Sequence, residues 1–279
     1  MIQIKIGNCR KLLKEIPRKS IQSTITSPPY YGLRDYGEDD QIGLEETPEE
    51  YVANLVEVFR EVRETLSDDG TLWLNLGDSY CGTGHKKDKK DPKHKDGRNG
   101  QYFAVNNKID GLKQKDLIGI PWMVAFALRN DGWYLRQDII WHKPNPMPEP
   151  VKDRCTKSHE YIFLLSKNRN YYFDYQAIEE LTSEKEKRRK RSVWKVNPAN
   201  LPDAHFAIFP EKLILPMVLA TTIPGETILD PFAGSGTTGL VAGKHSRDAI
   251  LIELNPDYKK IIDKRLEGDL FFSAETEGK

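Results

Sequence analysis

The feature that most constrains this chain is its alternation of short strand-like runs with helical stretches. Strand-like runs fall at Ile2–Ile6, Gln22–Thr26, Thr71–Leu76, Leu135–Trp141, Glu160–Leu165, Thr227–Asp230 and Ala249–Glu253. Several are continuously apolar, the pattern of strands covered on both faces. Between them, Thr47-Pro48-Glu49-Glu50 offers an N-cap, a proline at N1 and a glutamate at N3, followed by Val52, Leu55, Val56 and Phe59 at helical spacing. Pro121–Arg129, Thr237–Lys244 and Pro256–Leu266 also read as helices. This order predicts an α/β fold with a doubly wound, mostly parallel sheet. No crossover helix separates Leu135–Trp141 from Glu160–Leu165, so these two runs are expected to form an antiparallel hairpin at one edge.

Two segments break the alternation. Residues 80–116 are rich in Gly, Lys and Asp with little apolar periodicity, and read as a long mobile loop inserted in a single domain spanning 1–279. Residues 168–203 begin near Tyr171-Tyr172-Phe173 and end in a basic stretch around Trp194, as an insertion or small subdomain would. Both are locally basic although the 279-residue chain has a formal net charge of zero. His85 to Arg98 holds seven Lys/Arg against three Asp, and Lys185 to Lys195 holds seven against one Glu. A basic run alone is as readily a solvated loop as a phosphate contact.

No apolar run approaches the ~20 residues that cross a bilayer, and Met1 to Ile6 reads as a first strand rather than a signal peptide. Cys9, Cys81 and Cys155 are far apart and form no CxxC pair, so no disulfide framework or zinc site is indicated. A cytoplasmic protein with no membrane partner and no metal is expected.

Near the C-terminus, the strand Thr227–Asp230 leads through Pro231-Phe232-Ala233-Gly234-Ser235-Gly236 into a helix starting at Thr237. Gly234 and Gly236 let the backbone turn tightly and approach a ligand, and the helix start presents free amides. A lone Gly-x-Gly is often an ordinary βα turn. Here Asp230 stands at the carboxyl end of a strand, where open α/β sheets bind ligands, and Phe232 adds an apolar wall. The next strand ends in Glu253, placed to accept two ribose hydroxyls. An adenosine ligand without a pyrophosphate fits this spacing better than a dinucleotide.

Ser27-Pro28-Pro29-Tyr30 directly follows the strand Gln22–Thr26. By itself it is a strand ended by prolines. Two prolines also stiffen the backbone, so the Pro28 carbonyl and the Ser27 side chain are held as acceptors for an exocyclic amine. Such an amine is a poor nucleophile because its lone pair is delocalised into the ring. Acceptors that hold its hydrogens favour a pyramidal nitrogen, and Tyr30 offers a ring on which an extruded base stacks. Direct in-line transfer then needs positioning rather than a covalent enzyme intermediate.

Together, Thr26-Ser27-Pro28-Pro29-Tyr30 and Asp230-Pro231-Phe232-Ala233-Gly234-Ser235-Gly236 resemble the catalytic and cofactor motifs of amino-methylating DNA methyltransferases. Their order, catalytic first and cofactor last, resembles the circularly permuted β class. The resemblance implies a Rossmann-like methyltransferase fold, S-adenosyl-L-methionine as cofactor and double-stranded DNA as substrate. Ser27, Pro28, Pro29 and Tyr30 become the catalytic set. Asn8, Asp230, Phe232, Gly234, Gly236, Thr237, Glu253 and Phe209 become the cofactor set. Ile6-Gly7-Asn8-Cys9 resembles a turn that holds the cofactor's adenine, with Asn8 where Asp is commoner. Ile139–Pro146 resembles an edge-strand motif, and His205–Pro210 an element closing over the methionine end. Residues 168–203 then correspond to target recognition. Lys86, Lys87, Lys89, Lys90, Arg188, Arg189 and Arg191 are the candidate DNA contacts, chiefly to phosphate.

Serine at the first catalytic position implies cytosine N4 as the target; adenine N6 is the nearest alternative and an RNA methyltransferase a weaker one. The resemblance also implies a prokaryotic or phage-encoded enzyme; it allows a cognate restriction endonuclease acting separately but does not say whether one exists. It leaves the oligomeric state and the recognised DNA sequence open. Asp78 either lines the cleft or caps a loop, His142 is expected in a structural or DNA-contact role, and Trp73 and Trp133 in the core.

Overall fold

The computed structural model describes residues 1–33, 38, 40–82, 109–199 and 209–276. Ten strands are present among them: β1 (Ile2–Ile6), β2 (Ile21–Thr26), β3 (Leu66–Leu76), β4 (Tyr134–His142), β5 (His159–Ser166), β6 (Glu180–Leu181), β7 (Lys187–Arg188), β8 (Val193–Lys195), β9 (Thr227–Asp230) and β10 (Asp248–Glu253). The helices are α1 (Cys9–Leu12), α2 (Pro48–Thr65), α3 (Ile120–Asn130), α4 (Glu211–Thr221), α5 (Thr237–Lys244) and α6 (Asp257–Thr276). Eight strands form one sheet in the order β1-β10-β9-β2-β3-β5-β4-β8. Pairing is parallel from β1 to β3 and antiparallel across β3, β5 and β4. The expected doubly wound sheet and hairpin are therefore present.

Each face of the sheet carries its own core. On one, α2 and α3 bury Tyr51, Leu55, Phe59, Val124 and Leu128 against Leu72, Leu74 and Phe163. On the other, α4 and α5 bury Leu213, Met217, Val218 and Val241 against Ile25, Trp73, Ile228 and Leu251. All six residues of β2 are buried, as a central parallel strand requires. The opening of α2 is a capping box: Thr47 Oγ1 accepts from the Glu50 amide at 3.2 Å, and Glu50 Oε2 accepts from the Thr47 amide at 3.3 Å.

Three elements differ from the sequence reading. Strand β3 starts directly after α2, taking in Asp68, Asp69 and Gly70, which look like a turn. Helix α4 carries Pro216 in its interior, which weakens the helical signal; burial of Leu213, Ile214, Met217 and Val218 maintains the helix. The segment from residue 168 onward is partly built into the main sheet. It forms the small β6–β7 hairpin and then returns as β8, which pairs in parallel with β4 and completes the hairpin edge. Trp194 on β8 is buried, its ring centroid 6.0 Å from that of Trp73. Trp73 and Trp133 are core residues, as expected.

The positions Lys86, Lys87, Lys89 and Lys90, together with most of the 80–116 segment and His205–Ile208, lie outside the described residues.

Candidate active site

The strand order, rather than either sequence motif, creates the site. Strands β2 and β9 are parallel neighbours, with Thr24 opposite Leu229. Their carboxyl ends therefore open side by side, and the Ser27–Tyr30 turn meets the Asp230–Gly236 turn across 204 residues of sequence. Thr26 Oγ1 donates to Asp230 Oδ1 at 2.7 Å. Asp230 is buried, and its carboxylate also accepts from the Phe232 amide at 3.1 Å and from Thr238 Oγ1 at 2.7 Å. Burial pushes its pKa up to about 6, against these hydrogen bonds, which lower it. Asp230 thus fastens the glycine turn to the end of β2 and to the first turn of α5.

The glycine turn is fastened from a second side by α6. Arg265 Nη1 donates to the Ser235 carbonyl at 2.7 Å, to Ser235 Oγ at 2.8 Å and to Thr237 Oγ1 at 3.0 Å. Gly236, at φ 77°, lies so close to Ile262 of α6 that a Cβ would approach its Cγ2 to 2.8 Å. Gly234, at φ 52°, faces open space, where a Cβ would meet nothing within 4 Å. Open space above a turn is what a ligand pressed on its backbone requires.

Glu253 ends β10 beside this space. Its carboxylate accepts from the Gly234 amide at 2.8 Å and the Asn255 amide at 3.0 Å. Burial raises its pKa to about 7, with the backbone hydrogen bonds opposing. Asn8 follows β1, the neighbour of β10, and the Gly7 amide donates to the Glu253 carbonyl at 2.8 Å. Asn8 Oδ1 accepts from the Arg10 amide at 2.8 Å, capping α1, while Nδ2 donates to Asp40 at 3.1 Å. Phe232 and Phe209 each pack at the margin of one core. A carboxylate beside a glycine cradle with an aromatic wall fits an adenosyl group.

Beyond the carboxyl end of β2, Ser27, Tyr30, Asn75 of β3 and Glu160 of β5 form one hydrogen-bonded cluster. Tyr30 Oη donates to Glu160 Oε2 at 2.7 Å, and Ser27 Oγ donates to Tyr30 Oη at 3.3 Å. The Asn75 amide donates to Tyr30 Oη at 2.6 Å, to Glu160 Oε2 at 2.8 Å and more weakly to Ser27 Oγ at 3.4 Å. Lys143 closes the cluster with an ion pair to Glu160 Oε1. Burial and the Glu160 charge push the Tyr30 phenol well above its ordinary pKa, so it keeps its proton. Tyr51 of α2 donates to the Pro29 carbonyl at 2.8 Å, fixing the proline pair. Gly77 touches the Tyr30 ring, and a Cβ there would come within 2.5 Å of Cε2. Tyr30, Tyr31, Leu33, Gly77, Asp78, Ser79 and Ile120 line a cavity beside this cluster.

Asp78 has both roles expected of it. It lines that cavity, and its Oδ1 accepts from the Gly119 and Ile120 amides at 3.0 and 3.1 Å, anchoring the start of α3. His142 pairs in register with His159 at the mouth of the β4–β5 hairpin. In the 168–199 segment, Arg188 and Arg191 each donate to Glu180 Oε1 at 3.0 Å, and Arg189 stacks over Tyr175 at 4.6 Å.

Asn75, Glu160, Thr238 and Arg265 have no local motif to mark them, and the sequence reading does not single them out; Thr26 heads the Ser27–Tyr30 motif but is given no role there. Their only sequence signal is position: Asn75 near the carboxyl end of β3, Glu160 at the amino end of the antiparallel β5, and Thr238 and Arg265 in flanking helices.

These geometries agree with what the chain resembles. A family model described as DNA methylase, covering N6 and N4 methyltransferases, matches residues 21–264. The type II methyltransferase M.SmaI of Serratia marcescens is 49% identical over 266 residues, covering 95% of this chain and 90% of its own. Among solved structures, the PvuII DNA methyltransferase (cytosine-N4-specific) superposes with a TM-score of 0.71 at 22% identity, covering 95% of this chain and 86% of that one. A DNA modification methylase of Thermus thermophilus, described as putative and solved with S-adenosyl-L-methionine, gives 0.65 at 24% identity, covering 97% and 96%.

Proposed function

The chain belongs to the N6/N4 DNA methylase family, and from that premise we propose that it methylates cytosine N4 in a specific double-stranded DNA sequence, with S-adenosyl-L-methionine as methyl donor. The observation that carries this reading is the Thr26–Asp230 hydrogen bond, which joins the base-side and cofactor-side turns at one cleft.

When bound, the cofactor supplies a methyl group on a positively charged sulfur: the new carbon–nitrogen bond forms as the carbon–sulfur bond breaks, leaving a neutral thioether. Glu253 holds the ribose hydroxyls, Phe232 and Phe209 cover the apolar parts, and Gly234 admits the ligand to the backbone. Tyr30 stacks on the extruded base. Ser27 Oγ and the Pro28 carbonyl accept hydrogen bonds from the exocyclic amine, which directs its lone pair towards the methyl carbon. The amine nitrogen carries the positive charge after transfer and loses a proton to water. No protein nucleophile is required.

Ser27 supports cytosine over adenine, because its short hydroxyl at the head of the turn is the residue by which this chain resembles cytosine-N4 enzymes. Arg188, Arg189 and Arg191, with Lys86, Lys87, Lys89 and Lys90, supply phosphate contacts. A type II methyltransferase relative supports a role opposite a separately acting restriction endonuclease, in the cytoplasm of a prokaryote. The deciding experiment is to incubate unmethylated duplex DNA with the protein and labelled cofactor, digest it, and identify the modified nucleoside by mass spectrometry. N4-methylcytosine is expected; N6-methyladenine overturns the choice of base.

A further inference from the structure

A serine hydroxyl at the head of the catalytic turn poses a problem that a carboxylate does not. It is one donor as well as two acceptors. An amine about to attack a methyl group offers hydrogens, and its lone pair must remain free. A Ser27 proton pointing at that nitrogen would engage the lone pair and quench the nucleophile. Something must turn the proton away.

We propose that Glu160 is a positioning residue that sets the polarity of the Ser27 hydroxyl through Tyr30. This rests on the methyl-transfer reading above and concerns a residue outside both sequence motifs. Ionised Glu160 can only accept. Its Oε1 is held by Lys143, and its Oε2 takes the single Tyr30 proton at 2.7 Å. With that proton committed, Tyr30 Oη is left as an acceptor, and Ser27 Oγ donates to it at 3.3 Å. Of the two Ser27 lone pairs, one meets only the long Asn75 contact at 3.4 Å and the other remains for the amine. Asn75 reinforces the same direction, donating to both Tyr30 Oη and Glu160 Oε2.

The orientation of Asn75 shows how strongly Glu160 governs the cluster. Asn75 is 2% exposed, and its Oδ1 has no hydrogen-bond partner among the described residues. An unsatisfied buried acceptor costs about 1–3 kcal/mol. Turning the amide over would set that oxygen against the Glu160 carboxylate and the Tyr30 oxygen, which is worse. Glu160 reaches Ser27 chiefly through the phenol, the bridging Asn75 contact to Ser27 Oγ being long at 3.4 Å, so deleting the phenol oxygen should remove most of its influence.

The test is a double-mutant cycle of Glu160→Gln and Tyr30→Phe on the full chain, using unmethylated duplex DNA of several kilobases and labelled S-adenosyl-L-methionine. Glutamine can donate to Tyr30 and reverse the relay; phenylalanine keeps the ring and removes the relay. Each single variant is expected to lower kcat about 10- to 100-fold, with KM for DNA and cofactor within about twofold, and the double variant is expected to be no slower than the worse single. Tyr30→Phe turning over like the wild type overturns the relay, as does a Glu160→Gln loss that recurs in full in the Tyr30→Phe background. The latter result would mean that Glu160 acts only by holding Lys143 and the hairpin. Failure of the wild-type chain to methylate DNA is a separate result, and strikes the functional reading instead.

Discussion

At the scale of single residues, two acids stand at the proposed cofactor side, Asp230 buried and Glu253 partly buried. The pKa of Glu253 is raised to about 7 and that of Asp230 to about 6, both by burial. The folded chain therefore holds protons that the unfolded chain has released, between the ordinary carboxylate range and pH 7. Stability contributed by these groups is present below the unfolded values and is lost as pH rises through the folded ones. Denaturant titration of the ligand-free protein is expected to show falling stability from about pH 4.5 to 7, and Glu253→Gln should flatten the upper part of that slope. Ribose hydroxyls donating to Glu253 favour its charged form, so cofactor binding should tighten with rising pH across the same range and release a proton. Calorimetry in buffers of different ionisation enthalpy measures that release; proton uptake would contradict the assignment. On the base side, Tyr30→Ala removes both the stacking ring and the phenol, and should lower methyl transfer by at least about 10- to 100-fold, given the ~1–3 kcal/mol value of base stacking. Near-normal turnover would remove Tyr30 from the base pocket.

At the scale of elements, α6 has a task that its sequence does not announce. Through Arg265 and Ile262 it presses the Ser235–Thr237 backbone into shape from behind. Arg265→Ala is expected to weaken cofactor binding by about tenfold, since hydrogen bonds to a charged group contribute about 1.5–3 kcal/mol and this one is partly exposed. Equilibrium binding of labelled cofactor reads the change, and DNA affinity should move little. The α2 capping box makes a different kind of statement, about folding alone. Thr47→Ala should cost about 1 kcal/mol in a urea titration and leave the methylation rate of the folded protein unchanged. A large loss of turnover there would mean that α2, through Tyr51 and the Pro29 carbonyl, transmits its end geometry to the catalytic turn.

At the scale of the whole molecule, a net charge of zero conceals two basic stretches. If these meet phosphate, DNA affinity should fall steeply with added salt, as log Kd against log salt with a slope near the number of contacts. A flat response would show that neither stretch touches the backbone. The Arg188–Glu180–Arg191 cluster and the Arg189–Tyr175 stack hold the second stretch in a defined shape, so Glu180→Ala should weaken DNA binding as well, although it removes a negative charge.

Much of this protein is legible before any coordinates. The apolar runs specify β1, β2, β9 and β10 to within a residue, and the Thr47–Glu50 pattern specifies its helix cap, because these signals are carried by neighbours in the chain. The two turns also declare their chemistry locally: prolines stiffen Ser27–Tyr30, and glycines open Gly234–Gly236. The early start of β3, the helix around Pro216 and the return of β8 to the sheet are less legible, because contacts with distant residues override local preference: backbone amides of Lys167 and Tyr172 hold the Asp69-Gly70 stretch, and burial of Leu213, Met217 and Trp194 holds the helix around Pro216 and the basic run. Tertiary structure alone decided that the two turns share one cleft, that Asp230 fastens them together instead of standing free, and that Glu160, Asn75 and Lys143 gather behind Tyr30. The physical reason is range. Helical and strand periodicity act over a few residues, whereas strand order and register arise from packing two faces of one sheet, and only that packing sets Thr26 beside Asp230 and Asn75 beside Glu160.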